Sequence, residues 1–189
     1  MEIKKEDIVN AYVNGDESAR NLLRTLFPNI NFEKELRASI PVTERIKTFE
    51  DAVAILGNDN QAVIDYYAIA DATCTEEILA FAKLRVIVEA LNEGWRPKLG
   101  GEEYCYFPWF YIYTKQEYEE LNEDEKKSRR VVGRSESNAG AGGGVAYASV
   151  GYTSSNSYTN YGSRLVFKSR ELAEYAGEQF IDIWKDFLC

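Results

Sequence analysis

The sequence predicts an α+β domain, with several helices packed on a small, mainly antiparallel sheet built from the second half of the chain. Three observations lead there. Apolar residues recur at helical spacing through the first half and again at the C-terminus, where a helix closes the chain. Tyr104 to Tyr113, YCYFPWFYIY, is uncharged, aromatic and strand-like. Val145 to Tyr152 alternates as a second strand. With 189 residues, 45% hydrophobic and 28% charged, the composition is that of a folded globule rather than a disordered chain.

Residues 1–40 read as a helical hairpin or docking arm, and residues 41–189 as a single α+β domain. In the first piece Ile8, Val9, Tyr12 and Val13 make an apolar stripe that stops at Asn14-Gly15. Asp16 caps a second helix carrying Leu22, Leu23, Leu26 and Phe27, and Pro28 ends it. Asn29 to Ser39 is mixed and reads as a connector.

Thr48 to Leu56 has the spacing of a helix, with Thr48 as cap, Asp51 in the capping-box position and Gly57 as its stop. Gln61 to Ala70 is apolar-rich and fits helix or strand. Thr73 and Glu76 form a second expected box, opening a helix from Glu76 to Asn92 so apolar that it must be buried. In the aromatic run Pro108 cannot donate to a ladder, which puts that strand at an edge or at a bulge. Both of its faces are apolar enough to expect covering. Thr114 and Glu117 then box a helix running to about Lys127, and Arg129 to Gly133 begins a strand. Arg164 to Phe167 is expected to pair with Val145 to Tyr152 as a hairpin, with Ser154 to Asn160 at its tip. Ser169 caps the last helix, whose stripe is Leu172, Tyr175, Ala176, Phe180, Ile183, Trp184 and Phe187.

Composition excludes several function classes. A net charge of −9 opposes strong nucleic-acid binding, which depends on basic residues neutralising phosphate. Lys126, Lys127, Arg129 and Arg130 follow an acidic run and read as its balance. The chain has no His, so the commonest acid/base and transition-metal ligand is missing. Its three cysteines, Cys74, Cys105 and Cys189, lack CxxC spacing. No signal h-region and no apolar run near about 18 residues is present. The expectation is a soluble protein with no membrane contact, made in the cytoplasm.

Familiar motifs fail on inspection. Gly162 to Ser169 has a phosphate-loop frame, but Phe167 stands where the second glycine must turn the backbone. The glycines at 140, 142, 143 and 144 do not form a dinucleotide fingerprint, because Val145 takes its last position. No serine shows a nucleophile elbow. The paired carboxylates Glu102-Glu103, Glu119-Glu120 and Glu123 to Glu125 lie in polar stretches. No catalytic residue, metal ligand or cofactor motif emerges.

What stands out is Ser135 to Ser163, built mostly of Gly, Ser, Tyr and Asn with Glu136 as its only charge. Antibody paratopes use the same alphabet, since Tyr gives rigid amphipathic contact and Ser, Gly and Asn give adaptable hydrogen bonds. The plainer alternative is a Gly-rich hairpin whose tyrosines pack on a sheet. The candidate binding residues are Tyr147, Tyr152, Asn156, Tyr158, Tyr161 and Arg164.

Several stretches resemble an uncharacterised family of proteins encoded by bacteriophages and prophages of gut bacteria. They are ERIKTFEDA from Glu44 to Ala52, LNEGW from Leu91 to Trp95, YFPWF from Tyr106 to Phe110, and GSRL from Gly162 to Leu165 with the helix from Ser169 to Phe187. Together they span about residues 42–189. The resemblance implies a phage-related setting, in the cytoplasm of a bacterial host or associated with a virion, and carries over no catalytic residues. The leading expectation is therefore a phage- or prophage-associated non-enzymatic binding, structural or accessory protein. Its partner would be a protein, or else a small ligand of nucleotide type, and a carboxylate-based enzyme is the third reading. Cys189, Trp184 and the N-terminal hairpin are candidates for a contact between copies of the chain.

Overall fold

The computed structural model describes residues 3–72, 74–98, 103–133, 143–154 and 164–189. The chain divides into two compact units, residues 1–45 and residues 46–189.

The first unit holds α1 (Lys5–Asn14), α2 (Glu17–Leu26), α3 (Phe32–Ser39) and the single turn α4 (Val42–Arg45). Asp16 caps α2 by accepting from the Ala19 amide at 2.8 Å. Arg20 donates to the carbonyls of Tyr12 and Val13, satisfying acceptors that the end of α1 leaves open. Asn29 to Ser39 is no mere connector. Asn31 accepts from the Lys34 amide, and Phe32 stacks on Tyr12 with ring centroids 4.3 Å apart. That cap and that buried ring convert a mixed sequence into α3. Ile8, Tyr12 and Phe32 form the centre of this small core, flanked by Leu23, Phe27, Ile30 and Leu36. Leu22 and Leu26 of the predicted stripe remain exposed.

The second unit begins with α5 (Phe49–Leu56), α6 (Gln61–Ala70) and α7 (Glu76–Leu91). Thr48 and Asp51 form the expected box, and Gly57 closes α5 at φ 84°. The ambiguous Gln61 to Ala70 is helical because Asn60 caps it and α7 packs along it. The last of these starts at Glu76, preceded by Thr75 without a side-chain cap. The box expected from Thr73 and Glu76 rests on Thr73, which lies outside the described residues.

Next come β1 (Tyr104–Tyr113), α8 (Lys115–Glu120), α9 (Glu123–Ser128), β2 (Val132–Gly133), β3 (Gly144–Ser154), α10 (Arg170–Gln179) and α11 (Ile181–Leu188). The helix expected from Thr114 to Lys127 is two helices, because Asn122 and Glu125 form a second capping box in its middle. The C-terminal helix is likewise broken at Phe180, where the indole of Trp184 donates to the Ala176 carbonyl.

The three strands form one antiparallel sheet in the order β1-β3-β2. The fold class is thus α+β, as the sequence predicts. Pro108 lies in the edge strand, beside a register shift between Trp109 and Phe110. Both outcomes open to a proline in a strand occur together. The extra residue is on β3 between Tyr147 and Ser149, so strict alternation fails there. Tyr147 shares a face with Val150 and Tyr152 rather than with Ser149 and Gly151.

One face of the sheet is covered by α10 and α11. Pro108 and Tyr147 pack beside Gly177, and Phe110 lies 5.3 Å from the fully buried Trp184, centroid to centroid. On the other face Cys105 and Phe107 are buried, but Trp109 and Tyr111 are exposed. That face is only half covered, against expectation. Behind α10 and α11, α7 packs on α11 and is flanked by α5 and α6.

The expected hairpin between Val145 to Tyr152 and Arg164 to Phe167 does not form. Phe167 instead makes an isolated antiparallel bridge to Tyr106, on the far side of β1 from β3. The buried Asn92 side chain holds this stretch, donating to the Val166 carbonyl and accepting from the Lys168 amide. A long-range side-chain clamp has taken the place of strand pairing.

Candidate tyrosine–arginine cleft

The polar-aromatic segment 135–163 contains β3, which pairs with both β1 and β2. Before it, β2 ends at Gly133. Within it lie Gly143 and β3, with the Gly143 amide bonded to the Tyr113 carbonyl at 3.1 Å. Arg130 takes a left-handed conformation, φ 49°, and among the described residues β2 pairs with β3 at Val132 with Val145 and Gly133 with Gly144. A left-handed backbone is incompatible with a strand, so the pairing cannot extend back past Val131.

Where the pairing stops, a cleft of about 600 Å³ opens. It is lined by Tyr111 and Tyr113 of β1, Ser128, Arg129 and Arg130 at the end of α9, Ala146 and Tyr147 of β3, and Glu178 and Ile181 of the C-terminal helices. Tyr111 and Tyr113 stack with centroids 5.7 Å apart. A hydrogen bond from the Arg129 guanidinium to the Tyr113 hydroxyl, and then the nearby Glu125 carboxylate, favour its charged form. Arg130 pairs with Glu178 at 3.1 Å. Burial first, and the carboxylates of Glu174 and Glu178 after it, push the Tyr147 phenol above its ordinary range. Tyr147 therefore stays a neutral donor at physiological pH. Tyrosines and arginines around a recess are the combination enriched at binding hot spots.

The predicted site residues are not brought together. Tyr147 is half-buried and lines this cleft. Tyr152 is exposed near one end of the β1–β3 pair, edge-on to Tyr104 at 5.4 Å. Arg164 is exposed and lines a different cleft, with Arg85, Trp95 and Arg96. Asn156, Tyr158 and Tyr161 lie outside the described residues. Sequence reasoning missed Tyr111, Tyr113, Arg129 and Arg130. The two arginines were assigned to balancing the acidic run, and Arg129 does approach Glu125 at 3.7 Å. Only the left-handed turn after α9 shows that they also border the sheet.

Among the described residues, no cluster of three or more His, Cys, Asp or Glu side chains is placed to hold a metal ion. No helix among them is long and apolar enough to cross a membrane. No protein-family model matches the chain, and no curated protein or solved structure does.

Proposed function

We propose that this chain is a non-enzymatic binding protein of bacteriophage or prophage association, recognising a protein partner through the tyrosine–arginine cleft and the adjoining segment 135–163. The cleft carries this reading. Three tyrosines and two arginines from separate elements surround one recess at the margin of the sheet. Tyr offers large contact area for little side-chain entropy, and Arg adds directional donors. The half-open sheet face, with Trp109 and Tyr111 exposed, extends the aromatic surface beyond the recess.

The test is affinity capture with the purified chain from lysates of a gut bacterial host and from virions, followed by reconstitution with the captured protein in pure form. Tyr111→Ala is the first variant, because Tyr111 is 64% exposed and its loss should leave the core intact. Loss of a hot-spot tyrosine should weaken the reconstituted complex by about 2 kcal/mol, roughly thirtyfold, with the melting temperature unchanged. A complex that tolerates both Tyr111→Ala and Arg129→Ala would sink the reading.

A further inference from the structure

A second cleft, of about 370 Å³, lies on the side of the molecule built by α6, α7 and the turn after α7. Three guanidiniums reach it from three stretches of chain: Arg85 from α7, Arg96 from the turn, and Arg164 from the segment that bridges to β1. Trp95 lines it beside them, half-buried.

The turn is built to put them there. Glu93 and Gly94 both take left-handed backbone, φ 51° and 83°, and the Trp95 amide returns to the Asn92 carbonyl at 3.0 Å. This reversal folds Trp95 and Arg96 back over the end of α7. The same Asn92 side chain clamps Val166 and Lys168, which fixes where the chain leaves Arg164. Glu93 would resist the left-handed conformation, and its ion pair with Lys168 at 3.0 Å helps to hold it.

Two of the guanidiniums are oriented by carboxylates. Arg85 pairs with Asp65 at 3.1 Å, and Arg96 pairs with Glu89 at 3.2 Å. Hydrogen bonds from Gln61 and Arg85, with the charges of Arg85 and Arg164, hold the Asp65 carboxyl below the usual range. Arg164 has no ion pair among the described residues. Three arginines against two carboxylates leave the cleft with one positive charge, on a chain whose net charge is −9. A positive recess on so acidic a protein is a local departure that an anion would exploit.

We infer that this cleft binds a nucleoside mono- or diphosphate, with Arg164 and Arg96 taking the phosphate and Trp95 the base. The guanidinium fork matches phosphate oxygens two at a time, and the indole offers a face for stacking. The volume lies in the range of small-ligand sites, about 300–1,000 Å³. This site lies apart from the tyrosine–arginine cleft and does not depend on it.

Calorimetric titration of the full chain with AMP, ADP, adenosine and inorganic phosphate tests it, followed by the other three nucleoside monophosphates. Saturable binding of a nucleotide is expected, with the bare nucleoside and bare phosphate each weaker by about tenfold or more. Arg164→Ala and Trp95→Ala should each raise the Kd by about tenfold or more without lowering the melting temperature. Arg96→Ala serves as the second variant if either of these unfolds. No saturable binding of any nucleotide at millimolar concentration overturns the inference. So does an unchanged Kd in Arg164→Ala. Phosphate binding as tightly as the nucleotide removes the role of Trp95 and overturns it equally.

Discussion

At the scale of single residues, the contact between α10 and the sheet turns on Gly177. An added Cβ there would lie 2.8 Å from Pro108 Cβ and 2.7 Å from the Tyr147 ring. Glycine inside a helix ordinarily costs about 0.5–1 kcal/mol relative to alanine. Here the missing methyl lets the helix approach a proline ring that cannot move aside. Gly177→Ala should therefore destabilise the protein despite its better helix propensity, by about 1–3 kcal/mol. Urea denaturation checks it, and a raised midpoint would mean that α10 has room to spare. Because Tyr147 is one of the rings pressed by Gly177, the same substitution should also disturb the tyrosine–arginine cleft. Gly151 plays a similar part on the other face, where an added Cβ would meet the rings of Trp109 and Phe107.

At the scale of elements, helix starts are set by short polar signals, and these make a pH prediction. Asp51 accepts from the amides of Lys47 and Thr48, and Glu117 from the amide and hydroxyl of Thr114. Those bonds, backbone amides foremost, hold both carboxyls below the ordinary range in the folded chain. A depressed folded pKa means stability that is present above the unfolded value and lost as pH falls through the folded one. The denaturation midpoint should thus decline as pH drops through the carboxylate range and below. The double variant Asp51→Asn, Glu117→Gln should be less stable at neutral pH and show a shallower acid decline. Parallel acid profiles for the two proteins would remove the boxes from the account. The same polar signals also cut helices short. Asn122 and Glu125 start a helix inside what periodicity reads as one continuous helix.

At the scale of the molecule, the two units have separate cores. Tyr12 and Phe32 centre one, and the other spans α7, α10, α11 and the sheet. A fragment of residues 46–189 is expected to unfold cooperatively, with a midpoint close to that of the same unit in the full chain. Tyr12→Ala in the full chain should melt only the first unit, leaving the near-ultraviolet signal of Trp184 intact. A fragment that fails to fold would show that the second unit draws on the first for stability.

By itself the sequence determined what is local. Periodicity and caps place α1, α2, α5, α7, α8 and α10, and Pro108 marks a strand at an edge or at a bulge, because these depend on neighbours a few residues away. Residues Asn29 to Ser39 and Gln61 to Ala70 were not legible, since a buried ring and a packed neighbour decided them. Strand partners were not legible either. Arg164 to Phe167 has strand composition, but which strand it meets depends on the Asn92 clamp, formed across more than seventy residues of chain. The tyrosine–arginine cleft and the arginine cleft are likewise products of tertiary structure. Each gathers side chains from elements far apart in sequence, and each opens beside a left-handed turn, at Arg130 and at Glu93-Gly94. A charge read along the chain has only sequence neighbours to pair with, whereas in the fold it acquires a second set. For Arg129, Arg130 and Arg164, that second set is the site.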